Sequence, residues 1–401
     1  MVKGYHICLP SRKTGFKSRI PYSTSTLPYW SNGYDARLSR GIPGFNSRIG
    51  KQYKESPSLY SMEPYCVVDL QKITQAYTTW QKWLPEVSVY YAVKCNPQAR
   101  VLQHMHSLGI HFDCASKKEI EDVLTIAPSS SILFAHPIKV PHHIEFARDH
   151  GVQTLVFDCV SELYKIKQTH PNADLLLRLW VKNTPGSLLS RKFGAEMYDV
   201  PMLLKTAVTL NLNVIGFSFH VGSPCEDPEL YCEAMQLCKI ACDIAMTHDV
   251  RITTIDIGGG FQASTFEACA YQVRRGMQMF ENMRFISEVG RYLVETSHRL
   301  YVHIIGKKIQ DNKRIYYIND GVYGTFNCKV FDHATPLLKT DKQGDWWPTT
   351  IYGPTCDSLD IVEEMVKLPD LQIGDVLYVD NYGAYTVASC FNGYEMKTFL
   401  Y

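Results

Sequence analysis

Eight short apolar segments, separated by helical stretches, constrain the fold more than any other feature of this 401-residue chain. They are rich in Val, Ile, Leu and Phe with little polar alternation, which is typical of strands buried on both faces of a parallel sheet. Eight strand–helix units in a row predict a (β/α)8 barrel, an α/β fold, rather than an open sheet. The predicted strands are Val87–Lys94, Ile110–Ser116, Ile132–Pro137, Thr154–Cys159, Leu175–Val181, Val214–Val221, Ile252–Gly259 and Arg284–Gly290.

The sequence after about residue 300 changes to short strands with turns between some of them. Asn319–Gly321 and Asn392–Gly393 are typical turn sequences, so we predict a smaller, mostly β domain after the barrel. The predicted domains are a basic N-terminal arm at 1–63, a barrel at 64–298 and a C-terminal β domain at 299–401. The arm is expected to be partly disordered or to contribute to the β domain.

Composition excludes several classes of function. The formal net charge is +1, which favours neither nucleic acid nor an acidic membrane as partner, and no apolar run is long enough to span a bilayer. The 13 cysteines lack metal-ligand spacing, so we expect no metal. Without a signal peptide, they indicate a cytoplasmic protein. In the first sixty residues only Asp35 and Glu55 are acidic, which fits a loosely ordered arm or a transit peptide.

Polar residues stand at the end of every predicted strand. The carboxyl ends of the strands form the active-site mouth of an eight-fold barrel, so we expect these side chains to converge there. A barrel stabilised only by packing needs no such rim. The residues are Lys94, Asp113 with Ser116, His136, Asp158, Arg178, His220, Gly258–Gly260, and Glu288 with Arg291.

The residue types at this rim indicate pyridoxal phosphate. Lys94 ends an apolar strand, where a desolvated amine could form a Schiff base; the alternative is a lysine that extends to the surface. The glycines Gly258, Gly259 and Gly260, with Gly290 and Arg291, could hold a phosphate through backbone N–H groups and a fixed cation. A carboxylate beside the ring nitrogen completes such a site, and Glu288 is the candidate. His220 could stack on the ring, or be an ordinary core histidine.

Seven segments resemble the eukaryotic-type ornithine decarboxylase family, which comprises fold-type III pyridoxal-phosphate decarboxylases. The resemblance runs from about Pro64 to about Tyr394. The segments are Tyr91–Asn96, Phe112–Ser116, His220–Ser223, Asp256–Phe261, Asn319–Gly324, Gly353–Asp357 and Gly383–Thr386.

The resemblance implies a role for each matching residue. Lys94 would hold the cofactor, Glu288 would pair with its ring nitrogen and His220 would stack on the ring. Asp113, Glu119 and Arg178 would support the lysine side. The phosphate would be held by Ser223, Gly260, Gly290, Arg291 and Tyr385.

The same resemblance implies a two-fold homodimer whose active sites lie between the barrel of one chain and the β domain of the other. The partner chain would supply Cys356, which protonates the product carbon, and Asp357. Asp332 and Asp357 would bind the distal ammonium of the substrate, with Tyr323 and Phe331 beside them.

The resemblance therefore predicts decarboxylation of L-ornithine to putrescine, a step of polyamine biosynthesis. Lysine or arginine decarboxylation is the nearest alternative, and a non-catalytic relative that binds a regulatory protein is an alternative of another class. The chain departs from the family at Pro224, Val289 and Phe331, where the family usually has Gly, Pro and Tyr. The stretch Tyr385–Phe391 is also shorter than expected.

Overall fold

The computed structural model describes residues 62–184, 189–387 and 397–400. The predicted N-terminal arm up to residue 61, the Asn392–Gly393 turn and Phe391 lie outside the described residues. The strands are β1 Tyr65–Val68, β2 Val87–Ala92, β3 His111–Cys114, β4 Ile132–Phe134, β5 Thr154–Phe157, β6 Asp174–Arg178, β7 Asn213–Ser218, β8 Thr254–Asp256, β9 Arg284–Val289, β10 His298–Gln310, β11 Lys313–Ile318, β12 Trp346–Tyr352, β13 Ile361–Pro369, β14 Val376–Asp380 and β15 Lys397–Leu400.

Helices follow most barrel strands. They are α1 Leu70–Trp83, α2 Ala99–Ser107, α3 Lys117–Leu124, α4 Pro141–Asp149, α5 Val160–Thr169, α6 Leu189–Lys192, α7 Val200–Thr209, α8 Glu229–Thr247, α9 Phe266–Met277, α10 Arg291–Val294 and α11 Cys328–Phe331. Short 3-10 turns lie at Val93–Cys95, Ser129–Ser131, Glu295–Ser297 and Thr325–Asn327. No helix among the described residues has both the length and the apolar character needed to cross a bilayer.

Strands β2 to β9 pair in sequence order and close into a barrel, all in parallel. The closing pair joins β2 to β9, with Tyr90 opposite Glu288. The predicted (β/α)8 barrel is therefore confirmed, although several strands end before the polar residue assigned to their tip. The strand predicted as Val87–Lys94, for example, ends at Ala92, and Lys94 lies in the following 3-10 turn.

Two apolar layers stabilise the barrel. Side chains inside it, including Leu133, Val156 and Leu176, are buried against one another, so the barrel is filled rather than hollow. A larger core lies between the strands and the surrounding helices, where Trp80 of α1 stacks edge-on against Phe261 with ring centroids 5.0 Å apart. This packing fixes the strand ends from which the site is built.

The second domain is a sheet with strand order β13-β12-β11-β10-β1-β15, and β14 also pairs with β10. The predicted mostly β domain is thus confirmed. Strand β1 belongs to this sheet, pairing antiparallel with β10 and parallel with β15, with Tyr65 opposite Tyr301. The boundary expected at residue 64 would assign β1 to the barrel, but its pairing partners lie more than two hundred residues later in the chain, beyond the reach of local patterns.

Candidate active site

Lys94 lies at the barrel mouth, in the 3-10 turn that follows β2. Its Nζ donates to Oδ2 of Asp113 at 2.5 Å, and Asp113 is fully buried near the end of β3. Burial lowers the pKa of Lys94, but the carboxylates of Asp113 and Glu288 raise it by more, so the net shift is upward. The sequence predicted an amine made more nucleophilic by desolvation; burial does lower the pKa, but the neighbouring carboxylates outweigh it. Lys94 must lose its proton before it can attack a carbonyl.

Two acidic side chains, Asp256 and Glu288, lie beside this ion pair at the ends of the neighbouring strands β8 and β9. Burial, followed by the charge of Asp256, raises the pKa of Glu288 well above its usual range. Burial also raises the pKa of Asp256 to about 7. Such a pair retains a proton at neutral pH, and a cation placed against it would favour the ionised form. A protonated ring nitrogen would be such a cation.

His220 follows β7, and its hydrogen bonds fix its tautomer. Its Nδ1 accepts from the N–H of Gly222 at 3.0 Å, so the neutral ring carries its proton on Nε2. Burial, Arg178 and Lys94 lower its pKa well below the usual range. A neutral imidazole is therefore available to stack on a ring without adding a charge. Asn183 anchors the residue by donating to its carbonyl at 2.8 Å.

The glycines after β8 form a cradle in which no side chain fits. A Cβ on Gly258 would lie 2.0 Å from the carbonyl of Phe219, and one on Gly260 would lie 2.4 Å from that of Gly222. Gly258 and Gly260 also have φ of +64° and +113°, which favour glycine. Among the described residues, no acceptor pairs with the N–H of Gly259 or Gly260. These free donors fit an anion such as phosphate.

The loop after β7 closes the other side of the cradle. The N–H of Cys225 donates to the carbonyl of Gly260 at 2.8 Å. The peptide bond between Ser223 and Pro224 is cis. Pro224 has no backbone N–H, so it contributes no donor at the position where the family usually has Gly. Ser223 follows Gly222, whose carbonyl faces Gly260, and is partly exposed.

Arg291 begins α10, directly after Gly290, and forms a two-pronged ion pair with Asp332. Its Nη2 lies 2.8 and 2.9 Å from the two carboxylate oxygens, while its buried Nε has no partner among the described residues. The guanidinium also lies 5.2 Å from the ring centroid of Tyr385. The structure thus brings together two residues expected to bind phosphate and one expected to bind substrate. No pattern in the sequence predicted the Arg291–Asp332 pair.

Arg178 and Glu119 surround the lysine side of the mouth. Arg178 ends β6, with its guanidinium 5.3 Å from the ring centroid of Phe193. Oε2 of Glu119 accepts from the N–H of Ala115 at 2.6 Å, and burial raises the pKa of Glu119. Two other predicted rim residues have structural contacts: Ser116 caps α3 and Asp158 accepts from the N–H of Gly194.

The remaining predicted residues lie in the β domain and are much more exposed. The hydroxyl of Tyr323 donates to Oδ2 of Asp357, and the backbone N–H of Leu359 donates to its Oδ1. Both hydrogen bonds lower the pKa of Asp357, and the one from Leu359 has the larger effect. Cys356 is exposed and the side chain of Phe331 is 74% exposed. Within the described residues, the hydrogen bonds of Asp357 all stay inside the β domain.

Asp360 is a structural carboxylate whose importance the sequence did not reveal. It is buried and accepts from the N–H groups of Val322 and Thr355 and from the hydroxyl of Thr355 at 2.7–3.0 Å. It therefore ties the turn bearing Tyr323 to the turn bearing Asp357. Asp256 was also missed as a site residue, although it lies within a motif that the sequence analysis had identified.

Comparison with known proteins places the barrel in a defined family. The family description "Pyridoxal-dependent decarboxylase, pyridoxal binding domain" matches residues 70–295. The chain is 39% identical to ornithine decarboxylase of Schizosaccharomyces pombe over 84% of this chain and 83% of that protein. It is 38% identical to antizyme inhibitor 2 of Xenopus laevis over 84% and 81%. The arginine decarboxylase structure from Paramecium bursaria Chlorella virus superposes with a TM-score of 0.81 at 33% identity, covering 85% and 96%.

Proposed function

The chain belongs to the pyridoxal-dependent decarboxylase family, and from this we propose that it converts L-ornithine to putrescine and carbon dioxide. Pyridoxal phosphate is its cofactor. The structural observation that carries the proposal is the convergence of Lys94, Asp113 and Glu288 at one barrel mouth, where Nζ of Lys94 lies 2.5 Å from Oδ2 of Asp113 and both carboxylates raise the pKa of Lys94. The product is a diamine, so the reaction supplies polyamine biosynthesis.

The residues at the mouth fit the cofactor. The free N–H groups of Gly259 and Gly260 and the unpartnered Nε of Arg291 are donors suited to its phosphate. When bound, the cofactor supplies a carbonyl that joins to amines and a protonated ring that accepts the electrons left when carbon dioxide departs. Lys94 would hold the carbonyl carbon, and Ser223, Gly290 and Tyr385 would complete the phosphate shell.

The protein's own groups would control the protons of the reaction. Asp113 would accept a hydrogen bond from the Lys94 ammonium and so orient its Nζ. Once the ammonium loses one proton, the amine is reactive. Glu288 would keep a proton at the ring nitrogen, supported by the buried Asp256. Neutral His220 would cover one face of the ring and exclude water from it. The role of His220 agrees with the downward shift of its pKa, which keeps the imidazole neutral.

The substrate side would be completed by a second copy of the chain. We propose that Cys356 of one subunit donates a proton to the α-carbon at the other subunit's barrel, and that Asp332 and Asp357 bind the distal ammonium. The exposure of Cys356 and Phe331 supports this, because neither is covered by its own chain. A cytoplasmic location also remains a prediction.

The alternatives are less well supported. Several ornithine decarboxylases are 36–39% identical to the chain. Similarity to antizyme inhibitor 2 does not favour a non-catalytic role. The expected reacting groups are all present, namely Lys94, Asp113, Arg178, Glu288, Cys356 and Asp357.

An amine-product assay tests the proposal. Purified protein is supplied with pyridoxal phosphate and, in parallel, with ornithine, lysine or arginine, and the amines formed are separated and quantified. Putrescine should form with the highest kcat/KM. Cadaverine or agmatine as the main product would reassign the substrate, and no amine from any substrate would contradict the enzyme assignment. Borohydride treatment should attach the cofactor covalently to Lys94, as peptide mass spectrometry would show.

A further inference from the structure

A buried polar cluster lies directly behind Lys94, where the lysine turn meets the loop 382–385 of the β domain. Asn96, two residues after Lys94, is fully buried, and its Nδ2 donates to the carbonyl of Gly383 at 3.0 Å. The same Nδ2 lies 3.1 Å from Nε2 of His298, which is 2% exposed at the start of β10. His298 was not among the residues singled out by the sequence.

The imidazole of His298 is contacted at both ring nitrogens. Its Nδ1 lies 2.7 Å from Oγ of Ser297, which is also 2.7 Å from the carbonyl oxygen of Val294. Its Nε2 lies 3.1 Å from Nδ2 of Asn96 and 3.3 Å from Oε1 of Gln98. In the tautomer protonated at Nδ1, that nitrogen donates to Ser297 and Nε2 accepts from Asn96. His298 thus packs directly against the Asn96 amide that bonds to Gly383.

The loop 382–385 is attached to this cluster at several points. The N–H of Tyr382 donates to the carbonyl of His298 at 2.9 Å, and the N–H of Tyr385 donates to that of Cys95 at 2.9 Å. A Cβ on Gly383 would lie 2.7 Å from Nδ1 of His298, so the loop passes directly against the imidazole. His298 therefore contacts the Tyr385 loop directly and the lysine turn through Asn96.

We propose that His298 is a positioning residue: through Asn96 and Gly383, its imidazole locks the Lys94 turn to the Tyr385 loop and so sets the spacing between the amine and the phosphate end of the cofactor site. The inference rests on the proposed function, in which Lys94 and Tyr385 bind opposite ends of pyridoxal phosphate. It assigns no reacting role to the histidine. Replacing His298 should weaken cofactor binding more than substrate binding, because the cluster contacts neither Asp332 nor Asp357.

The test measures the dissociation constant of pyridoxal phosphate from the cofactor-free protein by absorbance titration, together with kcat and KM for ornithine. His298→Leu removes both side-chain hydrogen bonds and should weaken cofactor binding about tenfold or more. With saturating cofactor, KM for ornithine should stay within about threefold of wild type while kcat falls. His298→Gln keeps an acceptor near the position of Nε2 and should recover part of the affinity.

His170→Leu is the matched control. His170 is likewise a buried histidine, 5% exposed, but its Nε2 lies 3.0 Å from the carbonyl of Val152, away from the mouth. His170→Leu should leave cofactor affinity unchanged. Equal affinity losses in His170→Leu and His298→Leu would overturn the inference, as would a His298→Gln variant no better than His298→Leu. If His298→Leu does not fold, Ser297→Ala, which removes the hydroxyl that contacts Nδ1, must weaken cofactor binding measurably.

These outcomes separate the inference from the proposed function. Wild-type protein that binds no pyridoxal phosphate and forms no putrescine would contradict the proposed function itself. Wild-type protein that does both, with His298→Leu indistinguishable from the His170→Leu control, would contradict only the role of His298.

Discussion

The barrel mouth and the turns of the β domain contain the two halves of the expected site. The two halves differ in how deeply their residues are buried within their own chain. At the mouth, Asp113 and Asp256 are fully buried, and their charges shift the pKa values of their neighbours. In the β domain, Cys356 is exposed and Phe331 is 74% exposed. The barrel half is thus held by its own chain, while the side chains of the other half point to solvent.

This difference separates two kinds of site residue. A buried charge costs free energy unless it is paired, so the buried mouth charges pair within their own chain, as Lys94 does with Asp113. An exposed cysteine and phenylalanine bear no such cost and are free to meet a second surface. Asp332 lies between the two kinds, because it belongs to the β domain yet pairs with Arg291 of the barrel.

The largest effect should come from removing the amine of the barrel half. Lys94→Ala should lower kcat for putrescine formation at least about a thousandfold, because no other group can bond to the cofactor there. Borohydride should then no longer fix the cofactor to the protein. Lys118→Ala, which removes an exposed lysine paired with Asp122 on α3, is the control and should keep full activity. Substantial turnover by Lys94→Ala would show that the chemistry lies elsewhere.

Mixing two inactive variants tests directly whether the halves come from different chains. Lys94→Ala and Cys356→Ala should each be nearly inactive alone. After subunit exchange, about half of the dimers are hybrids with one intact site, so roughly a quarter of wild-type activity per chain should return. Mass spectrometry or labelled subunits must demonstrate the exchange. No recovery despite exchange would mean that both residues act within one chain.

A smaller effect is expected at the distal carboxylate of the exposed half. Asp357→Ala should lower kcat/KM for ornithine, mainly by raising KM, because the substrate ammonium loses its partner. Asp345→Ala removes an exposed carboxylate elsewhere in the β domain and should change neither parameter. Unchanged kcat/KM in Asp357→Ala would move the distal site away from this turn.

The smallest expected effect is the pH dependence of stability that comes from the buried histidine His298. Burial lowers the pKa of His298 from 6.5 to about 4. Below pH 6.5, His298 is protonated in the unfolded chain but stays neutral in the folded chain until about pH 4. The free energy of unfolding therefore falls between about pH 6.5 and 4, and His298 contributes up to about 3 kcal/mol of this loss. His298→Leu lacks this loss, so its free energy of unfolding in urea should fall less steeply with decreasing pH. Parallel curves for the two proteins would contradict the assigned burial.

Much of this arrangement was accessible from the sequence, for identifiable reasons. Buried parallel strands produce continuous apolar runs, and their ends mark the mouth, so Lys94, Asp113, Arg178, His220 and Glu288 were all located in advance. The glycine cradle was likewise predicted from Gly258, Gly259 and Gly260. These features are local, or follow from the regular geometry of a barrel.

What the sequence missed depends on contacts between distant segments. The upward pKa shift of Lys94 requires Asp113, nineteen residues away. The Arg291–Asp332 pair and the His298–Asn96 contact join residues 41 and 202 positions apart. No local pattern encodes such pairings, because they depend on how the β domain packs against the barrel.

Strand β1 has a consequence for how the chain is made. Tyr65–Val68 leaves the ribosome before any barrel strand, yet its neighbours in the sheet are β10 and β15, the latter at Lys397–Leu400. At about 5–20 residues per second, roughly 15–70 seconds pass between synthesis of β1 and of its last partner. Throughout that interval an apolar edge is unpaired while the barrel is free to form. Newly made chains should therefore depend on chaperones at the β domain rather than at the barrel, and truncation before residue 397 should leave β1 with one open edge.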